Sequence, residues 1–211
     1  MTGLAWIALA VTSAFALADW LAVAASRRRL EYAAKPAVML GLIGVAIVLH
    51  PADSTERTFF LVALTLGLIS DIFLMLPQDM FLLGLGAALV EHLAYIGGFR
   101  HRPLQPALLA VAAVVALVSV AVILPPVIRA LREDQPGLVW PVVAYVTVFV
   151  IMVSSAGSTG SLVAVAGALL FFYSDGLLAW NRFVKPISGG RLGNIVLYHL
   201  GQALIVLSLV S

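Results

Sequence analysis

The sequence contains no cysteine, and only 10% of its 211 residues are charged. The absence of cysteine excludes a disulfide framework and thiolate chemistry. Because 63% of the residues are hydrophobic, an ordinary soluble domain is excluded too, since its surface needs more charged side chains. The few basic residues are spread over loops rather than gathered in one arm, so we expect no nucleic-acid partner. The expected solvent is the lipid bilayer.

Long apolar runs fill most of the chain, and each approaches the roughly 20 residues with which a helix crosses a hydrocarbon core of about 30 Å. They lack the sustained polar and apolar alternation of membrane-barrel strands. We therefore predict an all-α integral membrane bundle, a single domain over residues 1–211. Its eight transmembrane helices are predicted near residues 3–25, 33–50, 58–76, 80–98, 106–124, 138–156, 159–180 and 192–210. The first run is long enough to span and follows no basic residue, so we interpret it as a helix rather than a cleaved signal peptide.

The basic residues predict the orientation of this multi-pass protein. Those after the first, fifth and seventh predicted helices are Arg27, Arg28, Arg29, Arg129, Arg132, Arg182, Lys185 and Arg191. The opposite loops carry Arg57, Arg100 and Arg102. Because basic residues concentrate in cytoplasmic loops, both termini are expected outside the cytoplasm, with the chain in the cell membrane.

Short matches indicate an internal repeat. The motif Ser-Asp-x-x-Leu at residues 70–74 returns at residues 174–178, an offset of 104. The pair His92-Leu and the residue Pro36 return after 107 and 105 residues. Because four helices separate the copies, the pattern predicts a parallel 4+4 repeat, which places equivalent residues at the same membrane depth.

Two aspartates inside the helices are the candidate catalytic residues. Asp71 and Asp175 are expected about 8 to 9 Å inside the cytoplasmic ends of their helices. Intramembrane charges cost several kcal/mol unless they face a wet cavity or a partner, so they point to function. The competing interpretation is a buried structural ion pair with Lys35 or a histidine.

Other polar residues form the supporting set, most of them expected near the same leaflet and His92 nearer mid-bilayer. This set comprises Lys35, Ser70, His92, Ser174, Tyr198, His199 and Gln202. The two serines could simply hydrogen-bond within their own helices.

Two further acidic residues have less certain roles on the sequence alone. Glu91 and His92 project about 100° apart on their helix, so both could face one pocket, or one could brace a neighbouring helix. Asp19 is expected near the interface, where it could extend its carboxylate to the surface or pair with the arginines at 27–29.

Two carboxylates in a low-dielectric cavity repel, so one tends to stay protonated while the other is ionised. An acid and a base of this kind suit hydrolysis through an oxocarbenium-like cation, among other reactions. Metal binding is the rival use, but no His-x-x-x-His or His-Glu-x-x-His spacing occurs, so we predict no metal site. The aspartates also lack the Gly-x-Gly-Asp motif of intramembrane aspartyl proteases, and no Gly-x-Ser-x-Gly elbow occurs.

An ordered set of motifs resembles the YhhN family, the lysoplasmalogenases, from about helix two to helix eight. The set is Lys35-Pro36, Ser70-Asp71-x-x-Leu74, Phe81-x-x-Gly84-Leu85, His92-x-x-Tyr95, Ser174-Asp175, Asn181-x-Phe183 and Tyr198-x-x-x-Gln202. The resemblance implies an eight-helix membrane hydrolase without a redox cofactor. Such an enzyme cleaves the vinyl-ether bond of a lysophospholipid, a lysoplasmalogen, to a fatty aldehyde and glycerophosphoethanolamine or glycerophosphocholine.

The family's paired aspartates correspond to Asp71 and Asp175 in this sequence. Its other polar positions correspond to Lys35, His92, Tyr198 and Gln202. Glu91 departs from the pattern, because the family often has a small apolar residue before the histidine.

The resemblance leads to a mechanistic hypothesis and leaves two alternatives. One protonated aspartate would donate to the vinyl-ether carbon distal to oxygen, and the other would assist water, while Lys35 holds the lipid phosphate. A small lipid or solute transporter is the leading alternative, because carriers also combine repeats with polar groups near the bilayer interior. In the third interpretation the aspartates only hold helices together.

Overall fold

The computed structural model describes residues 2–211, which form eight α-helices. The helices are α1 (Gly3–Ala24), α2 (Arg28–Val48), α3 (Ser54–Met75), α4 (Phe81–Phe99), α5 (Pro106–Asp134), α6 (Val139–Ser158), α7 (Leu162–Ala179) and α8 (Gly190–Leu207). Single turns of 3₁₀-helix lie at residues 136–138 and 208–210, and a π-helical turn at 180–184 extends α7. All eight helices are long and apolar enough to cross a membrane, which confirms the predicted all-α, multi-pass fold.

The fifth helix differs most from its predicted bounds, because it ends at Asp134 rather than near residue 124. Pro125 and Pro126 lie inside it. Proline removes a backbone donor but is tolerated in membrane helices, where neighbouring groups satisfy the freed carbonyls. At 1.5 Å per residue, α5 is about 43 Å long and exceeds the hydrocarbon core, so its last turns extend past the apolar region.

The second helix also starts earlier than predicted, at Arg28 instead of residue 33. Hydropathy alone misplaced this boundary, because the charged first turn is helical without being apolar. Lys35 therefore lies in the second turn of α2 rather than at its entrance.

Consecutive helices pack as antiparallel pairs: α1 with α2, α3 with α4, α5 with α6 and α7 with α8. Contacts of α2 with α3, of α4 with α6, and of α8 with α1 and α2 join the pairs into one bundle. Within α5, the buried residues are Ala112, Ala116, Val127 and Leu131. Consecutive helices pair throughout the bundle, and this pairing does not distinguish two equivalent halves of four helices. The 4+4 repeat therefore stays a prediction.

An ion pair holds the end of the bundle near the carboxyl terminus. The Nε of Arg102, in the loop after α4, donates to Glu56 Oε1 on α3 at 2.8 Å. The same guanidinium also donates to the carbonyl oxygens of Ser208 and Ser211. Arg102 thereby joins the loop after α4 to the start of α3 and to the 3₁₀ turn that follows α8.

Small residues allow α7 and α8 to cross closely. A Cβ atom added to Gly201 would lie 2.7 Å from the backbone nitrogen of Phe171, and one added to Gly167 would lie 2.7 Å from that of Ile205. Such distances are too short for any side chain, so glycine at both positions permits the contact between backbones. This crossing fixes α8 in the register that carries its polar residues to the centre.

We expect Gly201→Val to lower the free energy of unfolding by about 2 kcal/mol, because α7 must move away from α8 to admit the side chain. Gly86→Val is the matched control, since a Cβ at Gly86 meets no atom within 4 Å. Thermal unfolding of both variants in detergent measures the difference. Equal melting temperatures for the two variants would contradict the close crossing.

Candidate active site

A cavity lies among α2 to α8. Its polar lining consists of Lys35, Ser70, Asp71, Glu91, Tyr145, Ser174, Asp175, Asn194 and Tyr198. The remaining walls are apolar and come largely from α4 to α7. Asp71 and Asp175, expected from the sequence to share a site, both line this one cavity. A mostly apolar cavity with a few convergent polar groups is typical of a site for an amphiphilic ligand.

Asp71 is the centre of a charged network. Its Oδ1 lies 2.7 Å from Lys35 Nζ, and its Oδ2 accepts a hydrogen bond of 2.8 Å from the Tyr198 hydroxyl. The ammonium also lies 5.3 Å from the centre of the Tyr198 ring. The side chains of Lys35 and Asp71 are only 14% and 6% exposed. A cation and a hydroxyl donor at this distance stabilise the carboxylate form of Asp71.

Asp175 has different surroundings. The hydroxyl of Tyr145, on α6, donates to its Oδ2. Within residues 2–211, no Lys, Arg or His side chain forms an ion pair with Asp175. One cavity therefore holds a carboxylate with a cationic partner and a carboxyl group without one, and such a pair can supply both a base and an acid.

The two serines beside the aspartates join helices instead of bonding within their own helix. Ser70 Oγ donates to the carbonyl of Gly84 on α4 at 2.9 Å. The Asn194 amide on α8 donates to the carbonyl and hydroxyl oxygens of Ser174 at 2.8 and 3.0 Å. Each serine thus fixes the helix that carries its aspartate against the next helix in the chain, and the interpretation as bonds within one helix is wrong.

The two histidines of the predicted set lie behind the cavity wall. His92 is fully buried, bonds through Nδ1 to the carbonyl of Ala88, and packs against aromatic rings. The centre of its ring lies 3.9 Å from that of Phe149 and 5.1 Å from that of Tyr145. His92 therefore touches the partner of Asp175 rather than the aspartate. His199 accepts a hydrogen bond from Trp20 Nε1 at 3.1 Å.

The side chain of Asp19 projects into the bundle, not towards the interface as expected. The residue is 0% exposed, and its Oδ2 lies 3.9 Å from His199 Nε2. The predicted extension to the surface, or pairing with the arginines at 27–29, is wrong. Asp19 lies more than one turn before the end of α1, on the face that packs against the bundle, and so its carboxyl group projects inward.

Three groups of the site were missed or left aside by sequence reasoning. Tyr145 bonds to Asp175, and Asn194 bonds to Ser174. A lone tyrosine within an otherwise apolar span could have indicated Tyr145, since a buried tyrosine hydroxyl usually has a hydrogen-bond partner. Glu91, left outside the predicted set, lines the cavity. Within residues 2–211, no three His, Asp or Glu side chains lie close enough together to hold a metal ion.

The sequence model of the YhhN family matches residues 30–209. Lysoplasmalogenase TMEM86B of mouse is 36% identical over 146 residues, which cover 69% of this chain and 61% of that protein. The human protein of the same name is 34% identical over 150 residues, with the same coverage. The chain thus spans about three fifths of the length of these curated relatives. No solved structure is significantly similar to it.

We expect Lys35→Met to lower the free energy of unfolding by about 3 kcal/mol, because it leaves the buried Asp71 carboxylate without its cation. Adding Asp71→Asn should recover part of the loss, since the uncompensated charge is then removed. Thermal unfolding in detergent measures both variants, with the exposed Lys185→Met as control. No recovery in the double variant would contradict a stabilising ion pair.

Proposed function

Because the chain belongs to the YhhN family, we propose that it is a membrane hydrolase that cleaves the vinyl-ether bond of lysoplasmalogens. The names of the mouse and human relatives support this activity. The observation that carries the proposal is the pair of aspartates, from α3 and α7, that line one largely apolar cavity. The products are a fatty aldehyde and a glycerophospho-base, such as glycerophosphoethanolamine or glycerophosphocholine. The reaction needs water and no cofactor.

The unlike surroundings of the two aspartates support an acid and a base role. Asp71 is the base, because Lys35 and Tyr198 stabilise its ionised form. Asp175 is the acid, because burying a carboxyl group without a nearby cation costs less free energy when the group is neutral.

The reaction then runs through an oxocarbenium ion. Asp175 gives its proton to the vinyl-ether carbon distal to oxygen, and the cation forms at the carbon bonded to oxygen. Asp71 takes a proton from water as the water oxygen bonds to that carbon, which gives a hemiacetal. As the hemiacetal collapses, Asp71 returns its proton to the leaving glycerol oxygen, and the hemiacetal hydroxyl proton passes to Asp175. One water is consumed, and both carboxyl groups return to their starting states.

The cavity walls suit the rest of the lipid. The Lys35 ammonium has three donors, so it can bind the lipid phosphate while it keeps its bond to Asp71. Apolar residues of α5 and α6 line the part of the cavity that suits the alkenyl chain: Val120, Ile123, Leu124, Val127, Val142 and Val146. Tyr198 and Tyr145 orient the two carboxyl groups, and the polar supporting residues hold their helices in register.

We further propose that residues 1–211 act as one domain in the cell membrane, with both termini outside the cytoplasm. The excess of basic residues at one end of the bundle supports this orientation. These residues lie in the loop after α1, the first turns of α2 and α8, the last two turns of α5 and the segment after α7.

The absence of native cysteine makes the orientation directly testable. We expect Ser211→Cys to react with a membrane-impermeant maleimide in intact cells, because the carboxyl terminus is exposed outside the cytoplasm. Lys185→Cys, in the loop after α7, should react only after the cells are permeabilised. The reverse pattern would contradict the proposed orientation, and the unmodified chain is the labelling control.

For the activity, we expect purified protein to release aldehyde from a lysoplasmalogen, and Asp71→Asn and Asp175→Asn each to lower kcat by about 100-fold or more. Each variant removes one proton-transfer group while keeping the size of the side chain. Asp134→Asn, at the exposed end of α5, is the control.

Full turnover by either cavity variant, once its melting temperature shows it to be folded, would contradict the roles of the paired aspartates. Absence of aldehyde from the folded wild-type protein would contradict vinyl-ether hydrolysis. Lipid transport into vesicles would then be the next activity to measure.

A further inference from the structure

Glu91 is a third carboxyl group in the cavity, and the proposed reaction does not use it. The residue lies on α4, is 1% exposed and lines the cavity. Its Oε1 accepts a hydrogen bond of 2.6 Å from Gln202 Nε2, and Gln202 Oε1 in turn accepts one of 2.6 Å from the Tyr95 hydroxyl. A Cβ at Gly67, on the facing α3, would lie 2.6 Å from Oε1. Residues of α3, α4 and α8 therefore surround this carboxyl group.

The depth of Glu91 follows from its neighbours. On α3, Gly67 faces Glu91 and lies four residues before Asp71. On α8, Gln202 bonds to Glu91 and lies four residues after Tyr198, which bonds to Asp71. Four helical residues rise about 6 Å. Both helices thus place the Glu91 carboxyl group about one turn deeper in the bilayer than that of Asp71.

The hydrogen bonds of Glu91 leave one oxygen for a ligand. Over residues 2–211, no cation pairs with Glu91 and no protein group bonds its Oε2. A buried carboxyl group without a cation is held as the neutral acid, because burial of an isolated charge is far more costly. Since the Gln202 amide donates to Oε1, the proton belongs on Oε2, where it can donate to a molecule in the cavity.

We propose that Glu91 holds the hydrolytic water between its own Oε2 and Asp71, an inference that rests on the proposed hydrolysis. An alkenyl chain cannot satisfy a buried O–H group, whereas a water can. Both carboxyl groups line the same cavity, on helices that offset them by about one turn, so a single water can bridge one oxygen of each. The substrate phosphate at Lys35 would then lie on the side of Asp71 that faces the membrane surface. The water would lie on the side that faces the bilayer centre.

Glu91 binds the water but gives up no proton in this scheme. The Glu91 O–H donates a hydrogen bond to the water oxygen, and the water donates one of its protons to Asp71. As Asp71 takes that proton, the water oxygen bonds to the oxocarbenium carbon. The proton balance of the reaction is therefore unchanged, and any neutral side chain that can donate to the water should serve.

The test compares Glu91→Ala with Glu91→Gln in aldehyde release, with and without added methanol. We expect Glu91→Ala to lower kcat by about 30-fold with KM within about twofold, because the nucleophile loses its position while the lipid contacts remain. Glu91→Gln should keep kcat within about fivefold, because its amide still donates to the water. Methanol competes with water for the oxocarbenium ion, so Glu91→Ala should also raise the ratio of mixed acetal to aldehyde.

The product ratio separates water binding from a structural role, since a merely destabilised enzyme loses both products equally. Gly67→Ala is a second variant that keeps the carboxyl group but pushes against Oε1 from α3, and it should shift the ratio in the same direction. This variant answers the question if Glu91→Ala does not fold.

Three results would overturn the inference. Wild-type kcat and product ratio in Glu91→Ala, with an active wild-type enzyme, would remove Glu91 from the reaction and leave the aspartate mechanism intact. Equal losses in Glu91→Gln and Glu91→Ala would show that Glu91 transfers its proton rather than holding water. Absence of aldehyde from the wild-type protein itself would instead overturn the proposed hydrolysis, and the water site with it.

Discussion

The ion pair between Lys35 and Asp71 is the interaction on which the rest of the site depends. Inside a bilayer, neither charge could be buried alone at an acceptable cost. Once paired at 2.7 Å, they place a fixed anion on α3 and bring α2 against it. The Tyr198 hydroxyl then has a strong acceptor, which orients α8 towards the same point. The polar end of the cavity is thus built outward from one pair of charges.

Because the surroundings have a low dielectric constant, the other polar groups of the site also need hydrogen-bond partners. Ser70 and Asn194 connect neighbouring helices through backbone carbonyls, and Tyr145 supplies the partner of Asp175. Each of these bonds satisfies a group that would otherwise lie unpaired away from water. The close crossing of α7 and α8 brings the Asn194 amide within reach of Ser174, since bulkier residues than Gly167 and Gly201 would hold the two helices apart.

The fold could be predicted from the sequence because hydrocarbon thickness dictates the length of each apolar run. All eight helices were expected, and so was a shared location for Asp71 and Asp175, which the repeated Ser-Asp motif indicated. The end of α5 was misplaced because two prolines usually end a helix in water, whereas a membrane helix can continue through them. The role of Asp19 was misjudged because position along a helix gives depth but not the direction in which the side chain projects. Tyr145 and Asn194 were missed because their partners lie on other helices and can be identified only from packing.

The modest burial of α5 has a consequence for how the bundle can move. Regions with few buried contacts open locally at a lower free-energy cost than the rest of a protein. Four residues of α5 are buried, yet the helix forms one wall of the cavity through Val120, Ile123, Leu124 and Val127. Displacing this wall leaves the bonds among α2, α3 and α8 untouched. A molecule dissolved in the bilayer can therefore enter and leave the cavity laterally, past α5. The rate of entry then depends on its mole fraction in the surrounding leaflet rather than on its concentration in water.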